Sequence, residues 1–129
     1  ELQREYTDND VVWLSIISSA EGKQGYVTKS EAKELTTSRN AQPSHVLFDS
    51  NGDVGRLYDA KTTPHMYVID EKGLLRYQGA IDNLGVTGAL FSTDLSKAKN
   101  YVRNAMNSLF LGKDVAEKNT RPYGCSVKY

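Results

Sequence analysis

Apolar positions along the chain recur with different periods, and the period selects the element. VVWLSIIS (11–18) is nearly continuous in apolar and β-branched residues, which predicts a strand covered on both faces, as in a parallel sheet. HVLFD (45–49), after Pro43, predicts a second short strand. HMYVID (65–70) and LLRYQGA (74–80) flank the turn EKG and predict a β-hairpin with Gly73 at the positive-φ position. Helical spacing appears in ELQREY, where Leu2 and Tyr6 are four apart. It returns from about Asp94, where Leu95, Ala98, Val102, Ala105, Met106 and Leu109 share one face and Gly112 suits a left-handed cap. Thr28 and Glu31 stand at capping-box spacing and start a helix to about Arg39. Its apolar face is thin, Ala32 and Leu35, so it lies on the surface. GRLYD (55–59) predicts one helical turn, residues 81–93 a loop, and residues 113–129 a polar, extended tail. This order implies an α/β chain, a mixed sheet packed by helices, in one domain spanning 1–129.

Composition narrows the function classes. Length suits one domain with a real core, and 39% hydrophobic with 25% charged residues is ordinary for a soluble globular chain. The formal net charge is zero, yet residues 1–70 carry 7 basic and 11 acidic groups and residues 71–129 carry 9 and 5. The basic excess is scattered over Lys97, Lys99, Arg103, Lys113, Lys118 and Arg121, at a spacing that suits a solvated helix face. Nucleic-acid binding calls for a basic stripe interleaved with aromatics, so no nucleic-acid partner is expected. No run of about 18 apolar residues occurs, and no membrane partner is expected. The start has neither Met nor the basic and apolar regions of a signal peptide, which points to a mature product or a fragment. The single cysteine, Cys125, excludes an intrachain disulfide and any multi-cysteine metal site within these residues.

Several stretches resemble sites and fail on their chemistry. Asp49, Asn51 and Asp53 stand at calcium-loop spacing, but Val54 replaces the required glycine and Ala60 the closing glutamate. An Asn-Gly turn explains them better. The glycines at 85 and 88 lack the lysine of a phosphate loop. His45 and His65 are two imidazoles where zinc needs three or four ligands, so no metal is expected. No serine sits in a nucleophile-elbow context. Pro64 opens an apolar run, either as a trans proline at a strand start or as a cis bond that leaves the Thr63 backbone beside a site. Local sequence alone favours the trans reading, since few X–Pro bonds in folded proteins are cis. Cys125, in a tail bent by Pro122 and Gly124, is inert, intermolecular or reactive.

Taken together, VVWLSIIS, the segment HVLFDSNGDVGRLYDAKTTPHMYVIDEKGLLRYQGAIDN and the terminal RPYGCSVKY resemble the thioredoxin fold. The resemblance is to its redoxin branch, with the alkyl hydroperoxide reductase/thiol-specific antioxidant proteins, and it covers essentially the whole chain. It implies a mixed central sheet with flanking helices and a cis Thr63–Pro64 bond. Family members carry an earlier strand and a cysteine at the N-terminus of the first long helix, where the helix end lowers the thiol pKa. This chain starts in what resembles the latter half of that helix, so the fold should lack its first strand. That strand would lie between those matching 11–18 and 65–70. Its loss implies preceding residues, a strand from another chain, or a sheet that has closed up.

The resemblance also implies function. The first reading is a thiol-disulfide oxidoreductase or peroxiredoxin-like antioxidant protein whose nucleophilic cysteine lies upstream of residue 1. Thr63, Pro64 and His65 would bind substrate, a protein disulfide or a peroxide, with no cofactor and a thiol reductant as partner. Cys125 would act as a resolving thiol, within the chain or across a homodimer. By family habit the setting is periplasmic or otherwise extracytoplasmic. The second reading is a redox-inactive thioredoxin-like module that holds peptides in the proline groove.

Overall fold

The structure, a computed structural model of the chain, describes residues 1–87 and 98–129. It is a mixed α/β arrangement of short strands and helices, in two compact units. One comprises Glu1–Ala60 with Val127–Tyr129, the other Lys61–Ser126.

The first unit holds α1 (Leu2–Thr7), β1 (Leu14–Ile17), α2 (Lys29–Ser38), β2 (His45–Phe48) and α3 (Asp53–Leu57). β1 and β2 pair in parallel, with Ile16 opposite Leu47 and Ile17 opposite Phe48. The expected capping box starts α2: the Thr28 side chain accepts from the Glu31 amide while Glu31 accepts from the Thr28 amide. Ala32 is buried and Leu35 exposed, as a surface helix requires. β1 departs from expectation. Leu14 and Ile16 are 49% and 40% exposed, and Leu47 beside them 44%; by strand alternation and the parallel register they share one face. A continuous apolar run allows burial on both sides, but burial follows only where another element lies on the face. Here that face stays partly open.

The second unit holds β3 (Thr62–Thr63), β4 (Met66–Ile69), β5 (Leu75–Gly79), α4 (Leu84–Thr87), α5 (Tyr101–Phe110) and β6 (Cys125–Ser126). β4 and β5 form the expected hairpin, with Val68 opposite Tyr77 and a register shift between Val68 and Ile69. Gly73 takes φ +81 in its turn, and Asp70 accepts from the amides of Lys72 and Leu74. α5 packs on β4 and β5, burying Val102, Ala105 and Met106 with Val68 and Tyr77. The helix expected from about Asp94 can be followed from residue 98 on. Residues 94–97 lie outside the described residues, and α5 begins at Tyr101. There Asn100, in extended conformation, accepts the Arg103 amide through its side chain. Gly112, at φ +67, follows the helix as anticipated.

In place of one mixed central sheet, the described strands form three two-stranded sheets: β1–β2, β3–β6 and β4–β5. A continuous sheet needs each pair to share a hydrogen-bonded neighbour about 4.8 Å away. No described strand fills that role for these pairs.

Candidate functional site

The Thr63–Pro64 bond is cis, as the resemblance implies. The two-residue strand before it is paired with the chain's own tail: β3 and β6 run antiparallel, with Thr62 opposite Ser126 and Thr63 opposite Cys125. The Thr63 hydroxyl donates to the Cys125 carbonyl oxygen at 3.3 Å. The Thr62 hydroxyl donates to the Pro64 carbonyl at 2.9 Å, bracing the bend. Thr63, Pro64 and Cys125 are all exposed. The single thiol is therefore held at the edge of the proline turn instead of hanging on a free tail.

His65 faces different work. Its Nδ1 accepts the Lys61 amide at 3.2 Å, and its ring stacks on Tyr67 with centroids 4.6 Å apart. Those contacts make it a brace for the segment entering β4. His45 lies in the other unit, and among the described residues no group of three or more His, Cys, Asp or Glu could hold a metal ion. Asp49, the first residue of the calcium-like spacing, is committed elsewhere. It accepts from the Ser18 hydroxyl at 2.7 Å and from the amides of Val54 and Gly55. Burial raises its pKa, but the Ser18 bond and then those amides outweigh burial and hold it below the ordinary carboxylate value.

What brings Cys125 to β3 is a series of contacts along residues 118–124 that sequence reasoning did not identify. The Gln78 amide donates to the Lys118 carbonyl, and the Thr120 amide to the Gln78 carbonyl. Thr120 Oγ1 accepts the Ala80 amide at 2.9 Å and lies 2.6 Å from the Tyr77 hydroxyl, which itself donates to the Ala80 carbonyl. Each oxygen then has one donor, with Thr120 giving its proton to Tyr77. Farther on, Tyr123 donates to Asp82 Oδ1. Burial, then the bond to Asp82 and its negative charge, push the Tyr123 phenol up to about 12. A side chain at Gly85 would run into the Tyr123 ring. Gly124, at φ +139, has no room for a Cβ, because the Thr63 carbonyl oxygen occupies that space. The available signal was Gly124 directly before Cys125, which reads equally as a flexible bend.

The end of the chain packs within the first unit. The Ala20 amide donates to the Lys128 carbonyl. The Tyr129 ring fills the space that side chains at Gly52 and Gly55 would need, and the Arg56 guanidinium lies 4.4 Å from its centroid. The depression lined by Glu1, Gln3, Arg4, Asp8 and Gln42 carries no cysteine, serine or histidine, which leaves the β3–β6 edge as the candidate site.

No protein-family model and no curated protein matches this chain. Solved structures do. One is the crystal structure of an uncharacterized conserved protein from Geobacillus kaustophilus, with a TM-score of 0.80 and 26% identity over 99% of this chain and 65% of that one. Another is a hypothetical protein from Sinorhizobium meliloti 1021, with a TM-score of 0.76 and 21% identity over 99% and 67%. The chain shares their fold and spans about two thirds of the length of each.

Proposed function

We propose that this chain is part of a thioredoxin-like thiol-disulfide oxidoreductase or peroxiredoxin-like antioxidant protein, with its nucleophilic cysteine upstream of residue 1. Thr63 and Pro64 form the wall against which substrate lies, His65 braces that wall, and Cys125 is the resolving thiol. The observation that carries this reading is the register of β3 with β6, which sets the chain's one cysteine opposite Thr63.

With a peroxide substrate, the upstream thiolate takes one peroxide oxygen, becomes a sulfenic acid and releases an alcohol or water. Cys125 then condenses with the sulfenic acid, forming a disulfide and releasing water. With a protein disulfide, the upstream thiolate attacks one sulfur and expels the other as a thiolate. Cys125 attacks the resulting mixed disulfide and frees the second client thiol. In both cases an external thiol reductant returns the two electrons. The proposed setting is extracytoplasmic, where client disulfides persist.

Peroxide and disulfide reduction by the full-length protein and by its Cys125→Ser variant test the proposal. Turnover by the former and loss of multiple turnover in the latter are expected. Absence of turnover in the full-length protein would leave the second reading, a redox-inactive peptide-binding module. That reading is favoured by one observation: β3 already accepts an extended strand through its backbone.

A further inference from the structure

We propose that residues 124–126 are a releasable strand that occupies the strand-accepting edge of β3, so that an extended partner chain reaches Thr63 only when this strand leaves. The proposal rests on the reading of the Thr63–Pro64 wall as a polypeptide-binding site, and it adds that the chain carries its own competitor for that site.

Three features support a strand that comes away without unfolding its unit. The ladder is two residue pairs long, Thr62 with Ser126 and Thr63 with Cys125. Gly124, Cys125 and Ser126 are all exposed, so releasing them uncovers no core. The flanking residues are held separately, by Thr120 on Tyr77 and Ala80 and Tyr123 on Asp82 before the strand and by Lys128 on the Ala20 amide after it, so residues 124–126 leave β3 as a short loop between fixed ends, next to a glycine at φ +139. A short, solvent-facing ladder supplies only a few weak net hydrogen bonds. It shifts an open–closed equilibrium by about tenfold to a hundredfold, and the apparent affinity for a competing strand falls by the same factor. Antiparallel pairing with β3 is also a general mode of peptide capture, in which main-chain bonds bind and side chains select. The preferred partner is thus an extended segment with a small residue just before the one opposite Thr63, as Gly124 precedes Cys125.

The probe is a fluorescein-labelled peptide of residues 120–129 carrying Cys125→Ser, added to the full chain. Gly124→Ala places a methyl group against the Thr63 carbonyl and should expel the strand, raising peptide affinity about tenfold or more over the unsubstituted chain. Ser126→Pro, which puts a proline into the two-residue strand, should act in the same direction. Amide shifts at Thr62 and Thr63 should report the binding, and in the unsubstituted chain saturating peptide should move the Cys125 and Ser126 resonances. Equal affinity in substituted and unsubstituted chains, or binding that leaves Thr62 and Thr63 unmoved, overturns the proposal. So does a saturating titration that leaves Cys125 and Ser126 unchanged. None of these readouts needs turnover, so their failure is distinct from failure of the redox reading.

Discussion

The ring of hydrogen bonds joining Thr120, Tyr77 and Ala80 is the anchor from which the tail reaches β3, and Thr120→Val tests it. The substitution keeps the shape of the side chain and removes its hydroxyl. Two groups lose a partner: the Ala80 amide, bonded at 2.9 Å, and the Tyr77 hydroxyl, at 2.6 Å. Tyr77 is fully buried and Ala80 3% exposed, so water cannot replace the lost partner. An unsatisfied buried amide costs about 1–3 kcal/mol, and a lost neutral hydrogen bond about 1 kcal/mol. The expected destabilisation of the Lys61–Ser126 unit is about 2–3 kcal/mol, a sizeable share of the roughly 5–15 kcal/mol that holds a domain folded. Hydrogen exchange read by NMR should report it at Tyr77, Ala80 and the α5 amides, with Ala80 protection falling about 30-fold or more. Tyr77→Phe removes the other hydroxyl of the ring. Combining the two should cost about 1 kcal/mol less than their sum, because together they leave fewer stranded groups. A Thr120→Val effect below about 0.5 kcal/mol, or additivity in the double variant, would refute the closed ring.

Other perturbations probe the remaining contacts. Asp49 titrates below its unfolded value of 3.8, so its contribution is present above that pH and disappears as pH falls through the lower folded value. Acid unfolding followed for wild type and Asp49→Asn should therefore differ near neutrality and converge at low pH. Tyr123, raised from 10.0 to about 12, behaves in the opposite sense. Its contribution is complete below pH 10 and is lost as pH rises toward 12, and Tyr123→Phe should remove one late step from the ultraviolet tyrosine titration. Thr28→Ala removes the side-chain half of the capping box, the bond from the Glu31 amide to the Thr28 hydroxyl, and should cost about 1 kcal/mol, visible as a lowered Tm. Gly55→Ala should displace the Tyr129 ring, read as a change in ring-current shifts at Arg56; unchanged shifts would contradict that packing.

Much of the local structure was legible in the sequence because its causes are local. The Thr28–Glu31 box, Gly73 in the hairpin turn and Gly112 after α5 depend on residues within one turn, and each forms as its spacing predicts. The apolar runs likewise mark β1, β2, β4 and β5. The start of α5 was also local, yet the apolar period ran past it, and only the Asn100 side chain on the Arg103 amide sets the boundary. Exposure of Leu14, Ile16 and Leu47 could not be read at all, since a strand's hydrophobicity does not say whether anything lies on it. The site depended most on long-range structure. Thr63 and Cys125 are 62 residues apart, and Gly124 looks like any bend glycine until the Thr63 carbonyl is seen in its Cβ position. Sequence alone singled out the candidate residues, the proline turn and the thiol. Tertiary structure alone put them in register, because backbone pairing between distant segments leaves no period or spacing in the chain that makes it.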